Sequence, residues 1–191
     1  NSDLYGYARK AGYMALYRES VFVAETATTA LSKLGIPDHP LQLRPRIEAD
    51  DHALFKMHNT ETPIEVRMKS GQTLNDWSAS NERLSRKTGE WVLDLPNGEI
   101  GALIRRNSTR SGHTFTLNWA TQAGSELPGL LAASLAESKD AQVSTIVPEY
   151  RPALSHLLVT LGFTEQTQYE IMVKPLAQQV TEAQKAFAAI S

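Results

Sequence analysis

The 191-residue sequence contains no cysteine. Disulfides, thiolate metal sites and cysteine nucleophiles are excluded, and a reducing, cytoplasmic setting is expected. Long apolar runs are missing too: none approaches the ~18–20 residues of a membrane span. The histidines, His39, His52, His58, His113 and His156, never fall at zinc-ligand spacing, so no metal is expected. A formal net charge of −2 gives no electrostatic footprint for nucleic acid. The densest basic stretch, Arg105, Arg106 and Arg110, reads as a solvated hairpin loop. No Walker loop and no serine-nucleophile motif is present. The start, Asn-Ser-Asp-Leu, has neither an initiator Met nor the charged-then-apolar order of a signal peptide. It is the start expected of a segment from within a longer chain.

What is present is material for a core. Apolar residues make up 41% of a length that suits one domain with a remainder. Leu4, Tyr7, Ala8 and Ala11 share a helical face, and Gly12 follows as a C-cap. Tyr17 to Val23 reads as a strand. Residues 24–40 read as a linker broken at Pro37-Asp38-His39-Pro40, with room for a short helix around Thr29–Lys33. Leu41 to Arg44 alternates as a half-buried strand does. Asp50 is expected to cap a helix to His58, and Thr73 a helix carrying Leu74 and Trp77; a weaker helix covers Pro63–Met68.

The middle predicts an antiparallel meander. Trp91–Leu95 and Glu99–Arg105 flank a turn at Pro96-Asn97-Gly98, and Asn-Gly accepts the positive φ of a hairpin. His113–Trp119 is the third strand, with Phe115, Leu117 and Trp119 on one face. Trp77, Trp91 and Trp119 read as core anchors. Glu90 and Glu99 read as solvated strand ends. Ser125 is expected to cap a helix with Leu127, Leu130, Leu131 and Leu135 inward. Gln142–Val147 is a strand, Arg151–Leu161 a helix stopped by Gly162, and Tyr169–Val173 the centre of a last strand. The fold class is therefore α/β with a mixed sheet, a meander followed by β-α-β-α-β. Residues 177–191 predict a terminal amphipathic helix.

The last helix–glycine–strand unit echoes the first. Leu4 aligns with Leu154, Tyr7 with Leu157, Gly12 with Gly162, Tyr13 with Phe163, and Val21-Phe22-Val23 with Ile171-Met172-Val173. A lone helix and strand cannot bury their apolar faces. Residues 1–23 therefore either complete the sheet of the following domain or belong to a preceding one; the echo favours the tail of a preceding homologous domain.

Leu157-Leu158-Val159-Thr160-Leu161-Gly162-Phe163 resembles the final helix and strand of the GNAT superfamily of acyl-CoA N-acyltransferases, where a helix ends in Gly-Phe before a long strand. The order of elements through residues 41–176 is similar to that fold throughout. With residues 1–23 ahead of it, the layout resembles tandem two-domain members. The resemblance implies acetyl-CoA as cofactor, lodged where the strands His113–Ala120 and Gln142–Val147 diverge. It implies cofactor contacts from Trp119, Ala120, Thr121, Gln122, Gly124 and Ser125, with pyrophosphate at the start of the next helix. It also implies a small-molecule or peptide amine as acceptor, an upstream homologous domain as partner, and room for a homo-oligomer.

Two departures weigh against that chemistry. The family's Gln/Arg-x-x-Gly-x-Gly/Ala loop is replaced by Thr121-Gln122-Ala123-Gly124-Ser125-Glu126-Leu127-Pro128. Glu126 sets a negative charge in the first helical turn, and Pro128 removes an amide there. Where many members carry a catalytic Tyr, four residues before the glycine, stands Leu158. Tyr150 reads as packing or capping, and no catalytic residue is assigned. Two readings follow: an acyl-CoA-dependent N-acetyltransferase in the intact protein with this domain degenerate, or a non-catalytic scaffold or binding domain supporting an active upstream domain.

Overall fold

The computed structural model describes residues 2–34, 41–81, 88–108, 112–136, 138 and 140–174. Among them, seven strands form one mixed sheet in the order β2-β3-β4-β5-β6-β1-β7. The strands are β1 (Met14–Ala24), β2 (Leu43–Pro45), β3 (Thr88–Asp94), β4 (Ile100–Ser108), β5 (His113–Trp119), β6 (Val143–Pro148) and β7 (Thr164–Val173). The helices are α1 (Ser2–Lys10), α2 (Ala27–Leu34), α3 (Asp51–Glu61), α4 (Ile64–Ser70), α5 (Leu74–Ser80), α6 (Leu127–Leu135) and α7 (Pro152–Thr160).

The meander forms as its turn signals require. Gly98 sits at φ 79°, and its amide donates to the Leu95 carbonyl. β3, β4 and β5 pair antiparallel in sequence order. β5 alternates buried and exposed from Phe115 to Trp119, which sets Phe115, Leu117 and Trp119 into the core. α6 crosses to β6, which runs parallel to β5. This is the expected α/β mixed sheet.

β1 lies between β6 and β7 and pairs antiparallel with both. Residues 14–24 thus complete the sheet that residues 43–173 begin. β6 and β7 run parallel to each other, with α7 crossing over the inserted strand. The segment read as a linker holds α2, which buries Ala27 and Ala30 against the same core as Leu130, Leu154 and Leu158. Phe22 and Ala24 of β1 and Ala27 and Ala30 of α2 are buried in that cluster, and burial of a side chain the size of Phe22 contributes ~1.5–3 kcal/mol. A second cluster, Leu54, Met57, Trp77, Val92, Ile100 and Leu103, packs α3 and α5 on the opposite face.

Four local readings change. Asp50 does not cap α3: its carboxylate accepts from the Arg44 guanidinium at 2.8 Å and from the Ile47 amide at 2.9 Å, closing a 3-10 turn at Glu48–Asp50. Ser125 does not cap α6, because a 3-10 turn over Thr121–Glu126 feeds straight into the helix and the Ser125 hydroxyl donates to Glu126. Arg105 and Arg106 belong to β4 rather than to a solvated loop, and Arg106 lies over the Trp91 ring at 4.9 Å. Glu90 is buried, held by Arg46 at 2.8 Å and Arg105 at 2.6 Å. Charge alone suggested solvent; long-range pairing supplied partners instead. Arg110, the break at 37–40 and the helix expected at 177–191 lie outside the described residues. No helix among the described residues is long and apolar enough to cross a membrane.

Candidate functional site

The parallel ladder of β5 and β6 is short. It pairs His113, Thr114 and Phe115 with Val143, Ser144 and Thr145, and then the strands part. Thr116–Trp119 keep β4 on one side and lose a sheet neighbour on the other. A cleft of about 350 Å³ opens at this fork, lined by Thr116, Asn118, Ile146, Tyr17, Tyr150 and Arg151 among others. This is where the expected cofactor groove falls.

Tyr17, from the inserted strand, and Tyr150, just before α7, face each other with ring centroids 5.3 Å apart, edge to face. The Tyr17 hydroxyl donates to Glu19 at 3.2 Å. Burial raises the Tyr17 phenol above its usual range, and the Glu19 charge raises it further. Burial also raises Tyr150. Both phenols therefore stay protonated at neutral pH and serve as donors. Burial lowers the His58 imidazole, and the Arg151 charge lowers it again, so His58 is a neutral ring in this wall.

The fork's far end is filled. The Arg151 guanidinium stacks on the Trp119 ring at 4.5 Å and lies 3.5 Å from a Glu61 carboxylate oxygen. Burial lowers the Arg151 guanidinium, and Glu61 acts against that shift. Glu61 also accepts from Thr121, at 2.8 Å from the amide and 2.8 Å from the hydroxyl. Glu61 and Met57 wall this cleft off from a second hollow of about 440 Å³, which Ala120 and Gln122 line.

The residues expected to hold the cofactor are thus accounted for one by one. Trp119 is buried beneath Arg151. The Ala120 amide donates to the Gly101 carbonyl at 2.8 Å, and the Thr121 amide to Glu61. Gln122, Gly124 and Ser125 are exposed on the 3-10 turn. That turn uses its own amides: Ala123 donates to Ala120 at 2.8 Å, and Leu127 donates to Gly124. Pro128 has none to give. The Thr121, Ala123 and Leu127 amides are therefore already engaged where a pyrophosphate would need free donors. Acetyl-CoA pyrophosphate does not fit these residues. Leu158 is fully buried in the core, away from the cleft lining.

The sequence reading missed Glu61, Arg151, Tyr17 and His58. Glu61 and Arg151 gave one local signal only, charges close to elements expected to be structured. Their pairing spans residues 61 to 151.

No family model matches the sequence, and no curated protein matches it. Solved structures do. A conserved Enterococcus faecalis protein of unknown function, described as a probable N-acyltransferase, superposes with a TM-score of 0.64 at 12% identity, over 88% of this chain and 42% of its own. A Drosophila protein gives 0.60 at 19% identity, over 91% and 57%. A GCN5-related N-acetyltransferase from Kribbella flavida gives 0.57 at 16% identity, over 87% and 40%. The chain has the GNAT acyl-CoA N-acyltransferase fold. It spans about two fifths to three fifths of the length of these three proteins. At such identities the likeness establishes the fold; the site must be argued from its own residues.

Proposed function

We propose that this domain is the cofactor-free half of an acyl-CoA N-acyltransferase-like protein, shaping and supporting the site of an active domain rather than transferring an acyl group itself. One observation carries the reading: the Glu61 carboxylate occupies the Thr121 amide and hydroxyl at the fork, with Arg151 as its counter-ion. Thr121 is one of the cofactor contacts that the resemblance implies, at the start of the turn that leads into α6. Glu61 is an internal anion in that place. A phosphate brought there competes with the Glu61 carboxylate for the same donors; the carboxylate repels it, and Arg151, 3.5 Å from Glu61, offsets part of that repulsion.

The second reading, catalytic acetyl transfer to an amine, draws on the fork itself and on Tyr17 and Tyr150, protonated donors beside the Glu19 carboxylate. Acid–base work needs such groups at the reacting atoms, but a thioester has to be seated first. Calorimetric titration of the chain with acetyl-CoA separates the two. The proposal expects no saturable heat below about millimolar cofactor. A micromolar dissociation constant would sink it and return the domain to the catalytic reading.

A further inference from the structure

β1 and β7 pair about a local two-fold axis through Glu19 and Tyr169. Exchanging the two aligned units turns Met14↔Val173 into Val23↔Thr164, Ala15↔Met172 into Phe22↔Glu165, Tyr17↔Ile171 into Val21↔Thr167, and Arg18↔Glu170 into Ser20↔Gln168; every one of these pairs is present. Glu19↔Tyr169 maps onto itself. Even the register shifts correspond, one between Ala15 and Tyr17 and its mate between Val21 and Phe22. The helix ends match as well. Gly12 and Gly162 take φ 86° and 93°. The Tyr13 amide donates to Ala8 at 3.0 Å, as Phe163 does to Leu158 at 3.0 Å. Such helix ends are common. A shared end, register and bulge pattern in two paired units is not.

The same rotation has consequences beyond the pair. It carries β6, which pairs with β1 over Glu19–Ala24, onto the outer edge of β7 over Tyr169–Lys174. It carries the sheet beneath α7 onto a place beneath α1. Neither place is filled by a described residue: β7 ends the sheet, and none of the side chains from Leu4 to Lys10 is buried. The apolar side chains there are counterparts of core residues. Leu4 and Tyr7 are both 69% exposed, whereas Leu154 is 3% exposed and Leu157 packs against the core. Met172 and Val173 are half-buried; Phe22 and Val23 are buried. An open strand edge beside an uncovered helix face is an unfinished interface.

We propose that α1 and the outer edge of β7 dock a second sheet of the same fold, belonging to a domain joined to the amino side of α1 as β6 is joined to α7. Its β6-like strand pairs with Tyr169–Lys174, so that each domain lends the other a strand in one continuous sheet. A second copy of this chain does not supply that strand, because its β6 is already paired by β5 and β1. The proposal also accounts for length: the chain spans 42% and 40% of two acyltransferase-fold neighbours. It stands independently of whether acetyl-CoA binds.

Residue-resolved amide exchange on the full-length protein tests it. A free edge leaves alternate amides open to solvent, whereas a paired edge protects consecutive ones. Every amide from Tyr169 to Lys174 is expected to exchange at least about a hundredfold slower than in an unstructured peptide. Dilution by about a hundredfold should leave that protection unchanged, because the partner is in the same chain. Tyr7→Glu should restore the alternating pattern on β7 while leaving β4 amides slow. Alternate fast amides in the wild type would overturn the proposal. So would protection lost on dilution, which assigns the edge to a second molecule, and so would a Tyr7→Glu variant with β7 unaltered.

Discussion

Leu154 and Leu4 hold matching places in two helix–glycine–strand units, yet one is 3% exposed and the other 69%. Both helices stop at a glycine in the left-handed region, and both strands join the same sheet. The difference lies in what each helix meets. α7 lies over a sheet that α2 and α6 also cover, and its leucines enter the core with Phe115 and Leu130. α1 has the same local code and no such surface within the described residues. Propensity and capping build the unit, and tertiary context decides whether its apolar face is buried.

Denaturant unfolding of single variants can break or sharpen that contrast. Phe22→Ala empties a core position of the inserted strand and should cost ~3–5 kcal/mol. A small effect would mean that β1 is only loosely part of this sheet. Leu154→Ala should follow at ~2–4 kcal/mol, as a buried leucine losing its side chain. The paired changes Gly162→Ala and Gly12→Ala should cost about 1 kcal/mol each, since the strain is set by positive φ and is common to both. Space does not separate them. A Cβ at Gly162 meets the flexible Lys33 Nζ at 2.8 Å, and one at Gly12 meets only Lys174 Cε at 3.9 Å. Leu4→Ala should lie within about 0.5 kcal/mol of wild type in this chain. A cost equal to that of Leu154→Ala would end the comparison, because α1 would then be packed within this domain.

Much of this fold could be read from local signals. Asn97-Gly98 gave the hairpin, the alternation at Phe115, Leu117 and Trp119 gave a face, and Gly162-Phe163 gave the last helix–strand corner. The place of β1 could not be read, since strand pairing is a contact between distant segments and alternation does not name the partner. The site was legible in its address and not in its contents. The fork between β5 and β6 lies where expected, but Glu61 reaches Thr121 across sixty residues of sequence. A glutamate at the end of α3 looks like any solvated helix end. Glu90 misled in the same way, as its partners Arg46 and Arg105 come from other strands and turns.

The proposal that Glu61 closes the expected cofactor contact at Thr121 is best tested at Thr121 itself. Acetyl-CoA can be titrated into isotopically labelled chain while the Thr121 amide and the Trp119 indole N–H are followed by NMR. With Glu61 holding the Thr121 amide and Arg151 covering Trp119, neither resonance should shift saturably up to about millimolar cofactor. A saturable shift of both at micromolar concentration would show that the cofactor displaces Glu61, and would contradict a seat closed by that carboxylate.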